Sequence, residues 1–145
     1  MIHVVTGHIC SGKSTWVQDQ AGPFDIIIDL DRIAAALKRE GESTHDHEDH
    51  LLEVAAAARW TAIDRAVRCH AAGGFDLWII HAYPTATDMA TYRRFGAAVK
   101  PMEADKETLI DRARRTRGAK QLAHLVERLN EQAARQFLHE QQKGL

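Results

Sequence analysis

Apolar positions along the chain follow two rhythms. Four short runs rich in β-branched residues or bounded by Gly and Pro, from Ile2 to Thr6, Asp25 to Leu30, Leu77 to His81 and Ala97 to Met102, have the length and composition of buried strands. Between them the apolar residues recur at helical spacing. Across 48–72, Leu52, Ala56, Trp60, Ile63 and Val67 stand 4, 4, 3 and 4 apart, one face of a long helix that Gly73-Gly74 would end. Leu122, Leu125, Val126, Leu129, Ala133 and Phe137 repeat that period before a polar QQKGL tail, and this helix is expected to close the core. Strands alternating with helices predict an α/β fold, a parallel sheet wrapped by helices. There is no internal repeat, and the only biased stretch is the acidic, His-rich GESTHDHEDH at 41–50.

Length and charge narrow the reading. At 145 residues the expectation is one domain spanning 1–145. A formal charge of −1 and a pI near 6.7 argue against a global electrostatic pull on nucleic acid or anionic membrane, leaving only local contacts. No apolar run approaches the ~20 residues of a membrane span, and MIHVVTGH lacks the features of a secretory signal. No membrane association and a cytoplasmic location are therefore expected. Cys10 and Cys69 form no metal-type spacing and no disulfide framework.

The strongest chemical signal is GHICSGKS at 7–14, directly after the first strand and before the helix-compatible STWVQDQ. Gly7-x-x-x-x-Gly12-Lys13-Ser14 is the phosphate-binding spacing, in which glycines let the backbone curl so that successive N–H groups point at phosphate oxygens. His8, Ile9, Cys10 and Ser11 fill the curl. Lys13 is positioned to bridge β- and γ-phosphates, Ser14 to hold Mg²⁺ through its hydroxyl, and Thr15 to lie near the α-phosphate, at the positive end of the following helix. Cys10 reads as a spacer, with a reactive thiol as the alternative.

The second strand runs into IIIDLDRI, which sets Asp29 and Asp31 at the C-terminal edge of the sheet, where ligands bind in open parallel sheets. A carboxylate there can accept a hydroxyl proton or hold Mg²⁺. Asp31 is the preferred base and, with Ser14, the expected metal contact; Asp29 is the second candidate, and capping of the helix near Arg32 is the structural alternative for either. The third strand ends in His81 rather than in an acidic residue, which favours small kinases over motor ATPases and GTPases. His81 reads either as a substrate contact or as the end of a buried strand.

From Arg112 the chain reads RARRTRGAK. Arg112, Arg114, Arg115, Arg117 and Lys120 can form a lid over a transferring phosphoryl group, with Gly118 as hinge, or else a solvated face paired with Asp105, Glu107 and Asp111. His45, His47 and His50 sit in a run read as an exposed loop on the substrate side rather than as a metal site.

Through GHICSGKSTW, DLDRI and LIDRARRTRGAK the chain resembles phage-type P-loop kinases, especially the kinase domain of polynucleotide 5′-kinases. The resemblance implies a four-stranded parallel sheet of order 2-3-1-4 with helices on both faces. It implies Lys13 and Ser14 as the loop's lysine and serine, Asp31 or less directly Asp29 as the post-strand aspartate, and Arg117 as the lid arginine, with Arg112 or Arg114 as the second candidate. ATP and Mg²⁺ are the implied nucleotide and ion. The acceptor expected is a nucleoside, a nucleotide or a nucleic-acid end. The chain departs from those kinases at His81, where they carry an Asp. Two other readings stand beside this one: a kinase for a non-nucleotide small molecule, and an NTP-binding, slowly hydrolysing regulatory or assembly module.

Overall fold

All strands of the sheet run parallel, and the edge where they end gathers every loop of chemical interest. The structure, a computed structural model, describes residues 1–144. The strands are β1 (Ile2–Thr6), β2 (Ile26–Asp29), β3 (Leu77–Ile80) and β4 (Ala98–Pro101), in the order β2-β3-β1-β4. The helices are α1 (Lys13–Gln20), α2 (Leu30–Ala36), α3 (Asp49–His70), α4 (Ala86–Arg94), α5 (Lys106–Thr116) and α6 (Ala119–Lys143). The four strands lie where the apolar runs put them, each within a residue or two at its ends; burial on both faces explains the central β3, whereas the edge strand β4 is exposed throughout and is held by its pairing with β1.

Strand alternation divides the core in two. Ile2, Val4, Leu77 and Ile79 point to one face and pack with Ile63 and Ala66 of α3 and Tyr92 of α4. Val5, Trp78 and Ile80 point to the other, against Val17 of α1. Each fully buried aliphatic side chain here contributes roughly 1.5–3 kcal/mol, so the sheet is a stiff platform for whatever its edge carries. In α3 the most buried line is Ala55, Arg59, Ile63 and Ala66; Leu52, Ala56, Trp60 and Val67 flank it, half-buried. The sequence pattern missed Arg59 because it counted only apolar residues. Its position, four residues after Ala55 and four before Ile63, marks it as facing inward.

α5 and α6 form a separate hairpin with a small core of Leu109, Ala113, Leu125 and Leu129, against which Ile9 and Cys10 of the 7–14 loop pack. This corrects the expectation that the last helix closes the core. Only its first half is buried; Ala133 is exposed and Phe137 is 60 % exposed. α5, with 11 residues, is ~16 Å long at 1.5 Å per residue, whereas α6, with 25, is ~37 Å by the same rise. The distal turns of α6 extend beyond the end of α5.

Candidate active site

The loop after β1 is built by its glycines. Gly7 has φ +136°, and a Cβ there would sit 2.3 Å from the Met102 carbonyl oxygen, so no other residue fits between β1 and the end of β4. Gly12 takes φ +92° as the residue before α1, turning the chain so that the helix N-terminus faces the loop. Cys10 is the one non-glycine with positive φ among the described residues, at +64°. Its left-handed backbone carries a cost of roughly 1–2 kcal/mol, and its side chain is held by the hairpin core.

Lys13 is buried, only 8 % exposed. Its ammonium donates to the carbonyls of Gly7 and His8 at 2.7 and 2.6 Å. Burial lowers it from 10.5 to about 8, against the raising influence of Asp29, while Arg117 pushes it further down. Ser14 and Thr15 stand exposed at the mouth of the loop. His8 ties the loop to its surroundings: Nε2–H donates to Gln132 Oε1 at 2.7 Å, and Nδ1 accepts from the Tyr83 hydroxyl at 3.1 Å. Arg128 of α6 stacks over Tyr83, 4.5 Å from the ring centre. Neither Tyr83 nor Gln132 carried a sequence signal: Tyr83 lies in the loop between β3 and α4, and Gln132 is a lone polar residue on α6, which reads as solvated.

The two aspartates part company. Asp29 is buried and caps α2, accepting from Asp31 N–H at 3.2 Å, while the Ser14 hydroxyl donates to its other oxygen at 3.3 Å. Burial, and then Asp31, raise its carboxyl above the usual range. The residue brought against Ser14 is thus Asp29 and not Asp31. Asp31 stands partly exposed, contacted by His47 Nε2 at 3.1 Å and His45 Nδ1 at 3.6 Å. The His47 side chain is only 2 % exposed, so His45 and His47 are folded against the site, while Asp46 and residues 48–50 stay exposed as the sequence suggested.

The arginine cluster divides as well. Arg112 and Arg117 line the cavity, and Arg112 Nη1 donates to the Cys10 carbonyl at 3.0 Å. Arg114 and Arg115 do not line it; Arg115 pairs with Asp111 at 2.6 Å on the outer face. Arg114, a candidate from sequence, therefore leaves the site. Leu109 and Ala113 turn one side of α5 towards α6, and positions 114 and 115 lie ~100° and ~200° round from Ala113, away from the loop. Arg117→Ala is expected to lower turnover roughly 10²-fold, the scale of losing one charge-stabilising donor, with Arg114→Ala and Arg115→Ala near wild type. Steady-state kinetics at fixed ionic strength measures all three, and equal mild losses would return the cluster to a solvated surface.

Lys13, Asp29, Asp31, Arg112 and Arg117 share one cavity with His45, His47, Arg59 and His81. Its volume is about 1660 Å³, beyond the roughly 300–1,000 Å³ of a site for one small ligand. It is bridged where Lys120 of α6 pairs with Asp49 of α3 at 2.9 Å.

His81 is buried at the end of β3. Arg59 Nη2–H donates to its Nε2 at 3.4 Å, and its Nδ1–H donates to the Tyr92 hydroxyl at 2.8 Å. Burial first, then the Arg59 charge, lower it from 6.5 to about 4, Asp88 opposing. The unfolded chain therefore binds a proton below pH 6.5 that the folded chain refuses until about 4. Stability is full above 6.5 and falls as pH drops through that window, by about 3 kcal/mol when integrated. His81→Asn is expected to lose less stability than wild type between pH 6.5 and 4 in parallel urea denaturations. Identical slopes would mean that His81 is not the titrating group.

The described residues contain no helix long and apolar enough to cross a membrane. No protein-family model and no curated protein matches the chain.

Proposed function

We propose that the chain is an ATP-dependent phosphotransferase that moves the γ-phosphoryl group to a nucleoside, nucleotide or nucleic-acid end. The observation that carries this reading is one cavity in which a glycine-built loop with Lys13 faces two carboxylates on one side and two arginines on the other. In the transfer, the acceptor oxygen attacks the γ-phosphorus, its proton passes to the Asp31 carboxylate, the bond from γ-phosphorus to the β–γ bridging oxygen breaks, and ADP leaves. Lys13 and the loop N–H groups hold the phosphates, and Arg117 neutralises charge spread on the transferring group. The Ser14 hydroxyl and the Asp29 carboxylate, 3.3 Å apart, form a hard-oxygen pair of the kind Mg²⁺ takes, and that ion supplies charge neutralisation at the β- and γ-phosphates.

His81 supports a second reading, an NTP-binding module that hydrolyses slowly. It is a buried neutral imidazole at the position where many P-loop ATPases carry an acid. Incubation with γ-labelled ATP, Mg²⁺ and a panel of nucleosides, nucleotides, oligonucleotides and sugars separates the readings. Label on a nucleoside, nucleotide or oligonucleotide supports transfer, label on a sugar alone moves the acceptor outside nucleotides, and label released only as inorganic phosphate supports the module.

A further inference from the structure

Arg59 is an unusual residue for the floor of a cavity. It lies mid-helix in α3, on the line of Ala55, Ile63 and Ala66, and is only 8 % exposed. A guanidinium stays charged at any physiological pH and carries five N–H donors. Here one of them reaches His81 Nε2 at the long distance of 3.4 Å, Nε is buried without a partner, and no ion pair forms among the described residues. Asp88, the carboxylate that borders His81 at 3.8 Å, already accepts from Thr85 N–H at 2.8 Å. A buried charge left in this condition is strongly unfavourable unless an anion completes it.

The strand order places Arg59 relative to the loop and the base. The loop holding Lys13 follows β1, and Arg112 of α5 and Arg117 just past its end come from beyond β4, whereas Arg59 and His81 sit on the β3 side with Asp31 beyond β2. Arg59 therefore lies on the same side of the Lys13 loop as the base, opposite Arg112 and Arg117. We propose that Arg59 is the anion-binding residue of the acceptor subsite and that the acceptor carries a phosphate group. This rests on the phosphotransferase reading, within which nucleosides, nucleotides and nucleic-acid ends differ in that one feature. Arg59 selects the phosphate-bearing acceptors.

The test is calorimetry on wild type and Arg59→Gln, each saturated with a non-hydrolysable ATP analogue so that the glycine loop is filled. The probes are a nucleoside, its 3′-monophosphate and a trinucleotide with a free 5′-hydroxyl. Wild type is expected to bind the phosphate-bearing probes at least ~10-fold more tightly than the nucleoside, the scale of one charge-assisted contact. In Arg59→Gln that preference should fall below ~2-fold with analogue affinity unchanged. Tighter binding of the trinucleotide assigns the phosphate to a nucleic-acid end, and equal binding assigns it to a mononucleotide. Equal wild-type affinity for all three probes overturns the proposal, as does an Arg59→Gln defect in analogue binding as large as that in acceptor binding. If the analogue binds neither protein, the phosphotransferase reading fails, and the same probe series without analogue still decides Arg59. Arg59→Met checks a purely structural role: an uncompensated buried charge predicts a melting temperature at or above wild type. Failure of both variants to fold would make Arg59 structural and end the proposal.

Discussion

Lys13→Ala is expected to abolish both phosphoryl transfer and the stabilisation that ATP gives, while the protein stays folded. At 100 times its Kd, ATP should stabilise wild type by about 2.7 kcal/mol, a rise of roughly 5–10 °C for a chain of this size, and should not move the variant. The fold survives because two effects oppose. The fall of the ammonium from 10.5 to about 8 corresponds to about 3 kcal/mol against the charged form. Removing the side chain relieves that strain and forfeits the bonds to the Gly7 and His8 carbonyls, each worth about 1 kcal/mol. The pH dependence has a definite sign. Between pH 8 and 10.5 the unfolded chain keeps a proton that the folded chain has shed, so wild-type stability gains from rising pH and the variant lacks that gain. Bound phosphates favour the ammonium, so ATP binding at pH 8 should take up as much as ~0.5 proton. Calorimetry in buffers of different ionisation enthalpy reads this directly. Equal thermal shifts with ATP in both proteins would remove the phosphate-loop assignment.

Asp31→Asn is expected to slow transfer by ~10²–10⁴, the usual cost of losing a general base, with little change in ATP affinity. Asp31 stands on the acceptor side, free of backbone capping and held by His47 and His45, where a carboxylate can meet an incoming hydroxyl. Asp29→Asn should behave differently. Asn is as good an N-cap as Asp, so α2 stays capped, but the hard carboxylate beside Ser14 is gone. Its defect should appear as a raised Mg²⁺ requirement that excess metal partly restores. Single-turnover rates across a Mg²⁺ titration separate the two. A silent Asp31→Asn beside a damaging, metal-insensitive Asp29→Asn would exchange their roles.

What local sequence encodes, it encoded fully here. Gly7 is readable because a positive φ and a close carbonyl leave no alternative to glycine, and Gly12 because its positive φ favours glycine. β3 is readable because a strand buried on both faces requires a continuous apolar run, and LWII is buried at every position; β4, exposed throughout, shows only through its short run between Gly96 and Pro101. The long helix over 49–70 follows from its period and from the glycines after it.

Side-chain direction at the site depended on contacts across the chain, which no window of sequence contains. Asp29 and Asp31 are two residues apart and chemically identical; the fold decides that one meets Ser14 and the other meets the 45–47 loop. Arg112 and Arg117 are distinguished from Arg114 and Arg115 only by where α6 packs on α5. The distal half of α6 has the same apolar period as its buried half, yet it lies exposed because α5 is too short to cover it. Arg59 was hidden by its own charge, since a pattern of apolar positions cannot show a cation buried among them. Backbone conformation and strand burial are set by neighbours a few residues away, so the sequence determined the loop and the sheet. The direction of each charge into the cavity is set by packing between elements tens of residues apart, so only the tertiary structure decided it.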